Sequence, residues 1–237
     1  MKILENSFKV IFPLLVVAIT TYYCYPFELS KVEHLAYLKS YGVTLGLTSF
    51  GLIIGLIGGF TLAFLLVLRI RLVTMLINEY LDLIRGMPLM LLLMIFAFVI
   101  FAQFDEVFFV AVIALGLNSS AYVAEIIRSG IESVDKGQME AARSMGLSHF
   151  KAMRLIVFPQ AIKNIIPALA NEFIALFKET SVVAFISVVD LTFQSKIFQS
   201  LLYDPKPYIF AGVVYYASVK IFTFCVRLLE MRLKKHD

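Results

Sequence analysis

Lys136-Gly137-Gln138-Met139-Glu140-Ala141-Ala142-Arg143-Ser144-Met145-Gly146-Leu147-Ser148-His149-Phe150 is a polar island in an otherwise apolar chain, and the fold turns on how it is read. The segment around it, about residues 128–164, is too polar to cross a bilayer and too rich in helix formers to be mere linker. Asp135 with Gln138 three residues on has the form of a capping box, and Met139, Ala142 and Gly146 recur at helical spacing. Gly146 is placed to end this short helix in a left-handed cap, and Ser148 to open a second one carrying Phe150, Met153 and Leu155. Pro159 is expected to stop that second helix and return the chain to the membrane. Two short helices at an angle make a compact protrusion that fits the cleft of a partner and moves as a rigid knob. From the residue types alone, an ordinary connecting loop fits as well.

Around the island the chain reads as a membrane protein. Of 237 residues, 60% are hydrophobic and only 16% charged, with a mean hydropathy of +0.88. A soluble chain has nowhere to put so much apolar surface, and its charged residues run nearer a quarter of the total. The same figures exclude a disordered chain, a disulfide scaffold and a compact nucleic-acid module, so no nucleic-acid partner is expected. Cys24 and Cys225 supply neither metal spacing nor a disulfide framework and read as apolar filler. Spans are expected over about residues 10–25, 41–68, 88–104, 107–124, 161–177 and 208–229. The first lacks a small-residue cleavage site and reads as a retained helix rather than a signal peptide. Gly51, Gly55 and Gly59 set a row of small residues on one face of the second.

Basic residues accumulate in short loops on the cytoplasmic side. Arg128, Lys136, Arg143, Lys151, Arg154 and Lys163 follow the fourth span, and Arg227, Arg232, Lys234 and Lys235 lie at the C-terminus. Asp105 and Glu106, opposite, have no basic neighbour. The net charge of +4 therefore reads as topology, with both termini cytoplasmic and the chain multi-pass.

Glu140-Ala141-Ala142, then Gly146, then Ile156-Val157-Phe158-Pro159 resemble the EAA motif of ABC importer permeases, the loop that docks on the ATP-hydrolysing subunit. Six further stretches look like the polar amino-acid branch of that family: Tyr41-Gly42-Val43-Thr44-Leu45, Arg85-Gly86-Met87-Pro88-Leu89, Asn118-Ser119-Ser120-Ala121-Tyr122 with Glu125 and Arg128, Gly137-Gln138, Pro159-Gln160-Ala161 and Lys178-Glu179-Thr180-Ser181. The resemblance covers about residues 39–233. It implies an all-α polytopic membrane bundle: a five-helix type I permease core over 39–233 with its cytoplasmic loop at 128–164, one extra N-terminal transmembrane helix and outer loop in 1–38, and a tail at 234–237. It also implies a bacterial plasma (inner) membrane location and ATP-driven import of polar amino acids, with glutamine or a basic amino acid favoured. The implied partners are a second permease subunit, identical or a sister chain, two ATP-binding subunits, an extracytoplasmic amino-acid-binding protein and the lipid bilayer. The chain has no Walker-type glycine loop, so no cofactor is expected on it, and ATP and Mg belong to the partner ATPase; it is read as a permease, not an enzyme. Met87 stands where the branch usually has Thr, Glu179 where it has Asp, and Phe158 and Val182 where it has Leu. Of these, Met87 bears on cargo, because it removes a hydroxyl.

Two groups of candidate residues follow. For ATPase coupling they are Gln138, Glu140, Ala141, Ala142, Gly146, Leu147, Phe150 and Pro159, with Glu140 pairing a basic group on the ATPase and the two alanines allowing close approach. For the substrate pathway they are Arg85, Met87, Pro88, Asn118, Ser120, Tyr122, Lys178, Glu179, Thr180, Ser181 and Asp190. An Arg, Lys or Asp at a helix centre costs about 2.5 to 3.5 kcal/mol on insertion, so such residues line a wet path or are paired. Lys178 and Glu179 either face that path or tie each other, and Arg85 either holds a carboxylate or anchors its helix at the boundary. Thr180 and Ser181 suit a broken helix that presents backbone groups to an amino acid. Asp190 and Gln194 are expected at the outer entrance. An intramembrane enzyme would want a Ser/His pair or a metal cluster at the midplane, yet His34, His149 and His236 fall in loops or the tail. A secondary transporter coupled to protons through Lys178 and Glu179 is the nearer rival.

Overall fold

The computed structural model describes residues 2–68 and 70–234, with side chains over 11–68 and 70–233. All regular structure among them is helical. The elements are α1 (Lys2–Cys24), α2 (Lys31–Val67), α3 (Arg71–Gly86), α4 (Leu89–Ile95) running into a π turn at Phe96–Ile100, α5 (Val107–Glu132), α6 (Lys136–Ser144), α7 (His149–Ala152) with a π turn at Met153–Val157, α8 (Phe158–Glu179) with a 3-10 turn at Thr180–Ile186, α9 (Leu191–Leu202) and α10 (Lys206–Lys234). By length and composition α2, α5 and α10 suffice to cross a bilayer, and α3 with the α4 segment passes as a pair bent by 106°. At 22 residues α8 is long enough, but it carries Lys163, Glu172, Lys178 and Glu179.

The spine of the bundle is α2 against α5. Gly51, Gly55 and Gly59 are buried along that contact, as their spacing leads one to expect. A Cβ on Gly59 would lie 2.4 Å from Val123 Cγ1 and 2.9 Å from the Ser120 carbonyl oxygen, so only glycine lets the backbones approach this far. Beside it, Leu47, Leu93, Leu115, Leu176 and Val183 form the largest apolar cluster, which ties α2, α4, α5 and α8 together. α10 packs across α8 and α9 on one side and α1 on the other.

Several boundaries differ from the expectations, each for a local reason. α2 starts at Lys31 rather than near residue 41, because Ser30 and Glu33 make a full capping box: Ser30 N–H donates to Glu33 Oε2 at 2.7 Å and Glu33 N–H to Ser30 Oγ at 3.4 Å. Residues 78–86, just before Pro88, form the second half of amphipathic α3, which buries Ile77, Leu81 and Ile84 against α5. The helical path after Pro88 is then Leu89–Ile100, about 18 Å at 1.5 Å per residue, shorter than the span expected to residue 104. Between the last two expected spans lies a further helix, α9, capped by Asp190.

In the polar island, Gly146 has φ +85° and Ser148 caps α7 by accepting from Lys151 N–H, both as expected. Two expectations fail. Asp135 caps α6 through Gly137 N–H at 2.7 Å, but Gln138 does not complete a box: its Oε1 accepts from Gln160 Nε2 at 3.4 Å instead. Pro159 does not stop the second helix, which continues through the π turn into α8. The π turn has already interrupted the regular ladder, and Pro159 falls in the first turn of α8, where a missing N–H is tolerated.

Candidate functional site

The site grows from two antiparallel helix faces. On α8, Glu172 and Glu179 stand seven residues apart and so share one face. Against them α5 presents Asn118, Ser119 and Tyr122. Ser119 Oγ donates to Glu172 Oε1 at 2.8 Å, and Asn118 Nδ2 to Glu179 Oε2 at 3.4 Å. Glu172 is buried, with 8% of its surface exposed, and Glu179 is half-buried. Lys178 is exposed; it acts on Glu179 electrostatically without forming an ion pair. Among the described residues neither glutamate has a cationic partner within ion-pair distance.

The neighbouring cations are already engaged. Arg85, in the last turn of α3, contacts Asp82 at 3.3 Å and Glu125 at 3.5 Å. Glu125 also bonds Arg128, which reaches Glu132 at 3.4 Å. Signs alternate along this row from α3 across α5, so its charges compensate one another. Tyr122 lies within electrostatic reach of Glu172, Glu179 and Arg85. The group as a whole is an acidic, hydrogen-bonded cluster between α5 and α8, bordered by a compensated ion-pair row.

Of the residues expected in the pathway, Arg85, Asn118, Tyr122 and Glu179 come together here. Met87 and Pro88 make the break between α3 and α4, where Met87 packs on the Ile77, Leu81 and Ala121 cluster. Ser120 turns toward α3 and bonds the Tyr80 hydroxyl at 2.8 Å. Thr180 and Ser181 do not mark an unwound stretch: their hydroxyls donate to the Phe177 and Lys178 carbonyls within a continuous helical path. Asp190 is fully buried, accepting from Phe193 N–H at 2.8 Å and the Tyr215 hydroxyl at 3.1 Å. Glu172 and Ser119 were not singled out in the sequence. An acid set in the middle of the fifth apolar span was the available signal.

On the polar island, Gln138, Glu140, Ala141, Gly146 and Phe150 are exposed, Leu147 is half-buried and Ala142 is buried beneath α6. Pro159 is exposed at the base. The tip is apolar, with Met145 75% and Phe150 70% exposed, which is the kind of knob a protein socket receives.

Residues 51–235 match the model of the family described as binding-protein-dependent transport system inner membrane component. The chain belongs to this family. The arginine transport system permease protein ArtQ of Bacillus subtilis is 40% identical over 205 residues, 84% of this chain and 93% of the relative. A putative glutamine transport system permease protein GlnP of Rickettsia bellii is 38% identical, covering 81% of this chain and 89% of its own. The nopaline transport system permease protein NocM of Agrobacterium fabrum is 34% identical, covering 84% and 88%. Among solved structures, an amino acid ABC transporter chain superposes with a TM-score of 0.80 at 41% identity, over 84% of this permease and 94% of that chain. The methionine transporter MetNI shares the fold with a TM-score of 0.73 at 16% identity, over 86% of this permease and 99% of that chain. The permease is therefore an inner-membrane subunit of an amino-acid ABC importer, with the type I fold.

Proposed function

We propose that the permease carries cationic amino acids inward, receiving them from an extracytoplasmic binding protein and drawing energy from ATP-binding subunits docked on its α6–α7 knob. The carrying observation is the pair Glu172 and Glu179: two carboxylates on one face of α8, held by Asn118 and Ser119, with no ion-pair partner of their own among the described residues. A buried carboxylate without a counter-charge is costly, and an arginine or lysine cargo supplies that charge. In this reading the cargo's side-chain cation and α-ammonium face Glu172 and Glu179, the Tyr122 hydroxyl and Asn118 add neutral contacts, and Arg85 lies on the side where an α-carboxylate would sit. Lys178, Thr180, Ser181 and Asp190 support the end of α8 and the start of α9 beside the acidic cluster. Support also comes from the relative named for arginine transport.

For coupling, exposed Glu140 meets a basic group of the ATPase, and Met145 and Phe150 fill its cleft. Both termini lie on the cytoplasmic side, with the permease core over residues 39–233 and α1 packed outside it. Closure of the ATP-binding subunits moves the knobs, the permease halves rock, and the acidic cluster changes side.

Reconstitution of the permease with its ATPase and binding protein in vesicles tests the reading through uptake of labelled arginine, lysine and glutamine. Arginine uptake is expected in the native complex and lost in Glu172→Gln and Glu179→Gln, each removing a charged contact worth about 1.5 to 3 kcal/mol. Native arginine uptake by both variants, or glutamine as the sole cargo, overturns the cationic assignment.

A further inference from the structure

Below the acidic pair, α5 and α8 pack through an apolar contact of Val123, Ile127 and Gly130 against Ala161 and Ile165, and an exposed polar rim runs beside it to the cytoplasmic end. On α5 the face carries Tyr122, Glu125, Ser129 and Ser133 at spacings of three or four; on α8 the facing residues are Glu172, Ala168, Asn164 and Gln160, at spacings of four. Fifteen residues separate Asn118 from Ser133 and the same number Asn164 from Glu179, so the hydrogen bonds at the two ends belong to one antiparallel register. Cavities open along this seam. One of about 280 Å³, open and mainly apolar, is lined by Glu125, Ile126, Ser129, Ser133, Asn164 and Ala168. A second, of about 560 Å³, opens among Ser133, Asp135, Gln160, Lys163, Asn164 and Glu230.

The cavities share Ser133 and Asn164, and those two side chains are bonded to each other: Asn164 Nδ2 donates to Ser133 Oγ at 2.8 Å. Each side of that bond is geared to the coupling knob. Ser133 is two residues from Asp135, the cap of α6, and Gln160, one turn from Asn164, bonds Gln138 within α6. The opposite side of α5 is sealed against α2 by glycine-mediated contact, which leaves the exposed rim beside α8 as the open polar edge of α5. Polar side chains facing a cavity between spanning helices are the expected lining of a wet path.

We infer that the α5–α8 seam is the inward half of the substrate route, and that the Ser133–Asn164 hydrogen bond is its inner latch, opened when the α6–α7 knob moves. Cargo leaving Glu172 passes Glu125 and Ser129, crosses the latch, and meets Asp135 and Glu230 at the exit. Ala168 matters by its size, since a larger side chain there would fill the first cavity. This inference rests on Glu172 and Glu179 being the binding pair.

The test uses the complete reconstituted transporter with Cys24 and Cys225 replaced by Ser. Ala168→Leu is expected to lose arginine uptake while ATP hydrolysis stays stimulated by the arginine-loaded binding protein, which also reports that the complex is folded. Ser129→Cys is expected to react with a membrane-impermeant methanethiosulfonate from the cytoplasmic face, and the reaction to stop uptake. Native uptake in Ala168→Leu, or in fully modified Ser129→Cys, overturns the route. Glu172→Gln measured alongside separates the two claims: if it is inactive while Ala168→Leu transports, the binding pair stands and the route fails; if it transports normally, the binding pair fails.

Discussion

Glu172 carries most of the function assigned to a single side chain, and its environment says why. It sits in an apolar stretch of α8, with only 8% of its surface exposed and the Ser119 hydroxyl donating to one carboxylate oxygen. Ser119→Ala leaves that oxygen unbonded, at a cost of about 1 to 3 kcal/mol, and should raise the KM for arginine uptake while leaving ATP hydrolysis stimulated. Gly59→Ala tests packing rather than binding. Its new methyl meets Val123 and the Ser120 backbone oxygen, so we expect a loss of about 1 to 3 kcal/mol, read as earlier thermal unfolding in detergent. The glycine row could be read in the sequence because small residues at every fourth position have few other uses on a spanning helix. Asp190 shows the limit of reading polar residues singly. An acid next to an apolar turn suits an entrance as well as a helix cap, and the choice falls on Phe193 N–H and Tyr215, which no spacing reveals.

Among the elements, the polar island was the most legible. Its stops and starts are chemical: Gly146 at φ +85° ends α6 and Ser148 opens α7. With nothing within 4 Å of a Cβ at Gly146, Gly146→Ala costs backbone strain alone, about 1 to 2 kcal/mol. The expected outcome is a knob that holds its angle poorly, with less arginine moved per ATP hydrolysed; unchanged coupling would separate that angle from energy transfer. The path through Pro159 was not legible, because a π turn depends on hydrogen-bond register and leaves no fixed residue signature. The break at Arg85–Pro88 was visible as a proline, but the 106° it produces depends on α3 lying flat against α5 through Ile77, Leu81 and Ile84.

For the whole molecule, hydropathy was enough to recover a polytopic helical bundle, because a bilayer allows few alternatives. What it could not reveal was partnership between helices. The pairing of α5 with α8 brings residues 118–133 against 160–179, and that long-range match is set by packing rather than by any local motif. α1 illustrates the opposite case. It packs mainly on α10 and lies outside residues 51–235. A chain lacking α1 is expected to keep arginine uptake after reconstitution; failure to assemble with the ATPase would instead give α1 a part in the complex. The acidic cluster has a further consequence in stoichiometry. Glu172, Glu179, Asn118, Ser119 and Tyr122 all come from one polypeptide, so under the proposed function a transporter built from two such chains would hold two chemically equivalent sites. Cargo can then be counted: equilibrium dialysis at saturation should find two arginines per transporter, and a sister chain with neutral residues at these positions should lower the count to one.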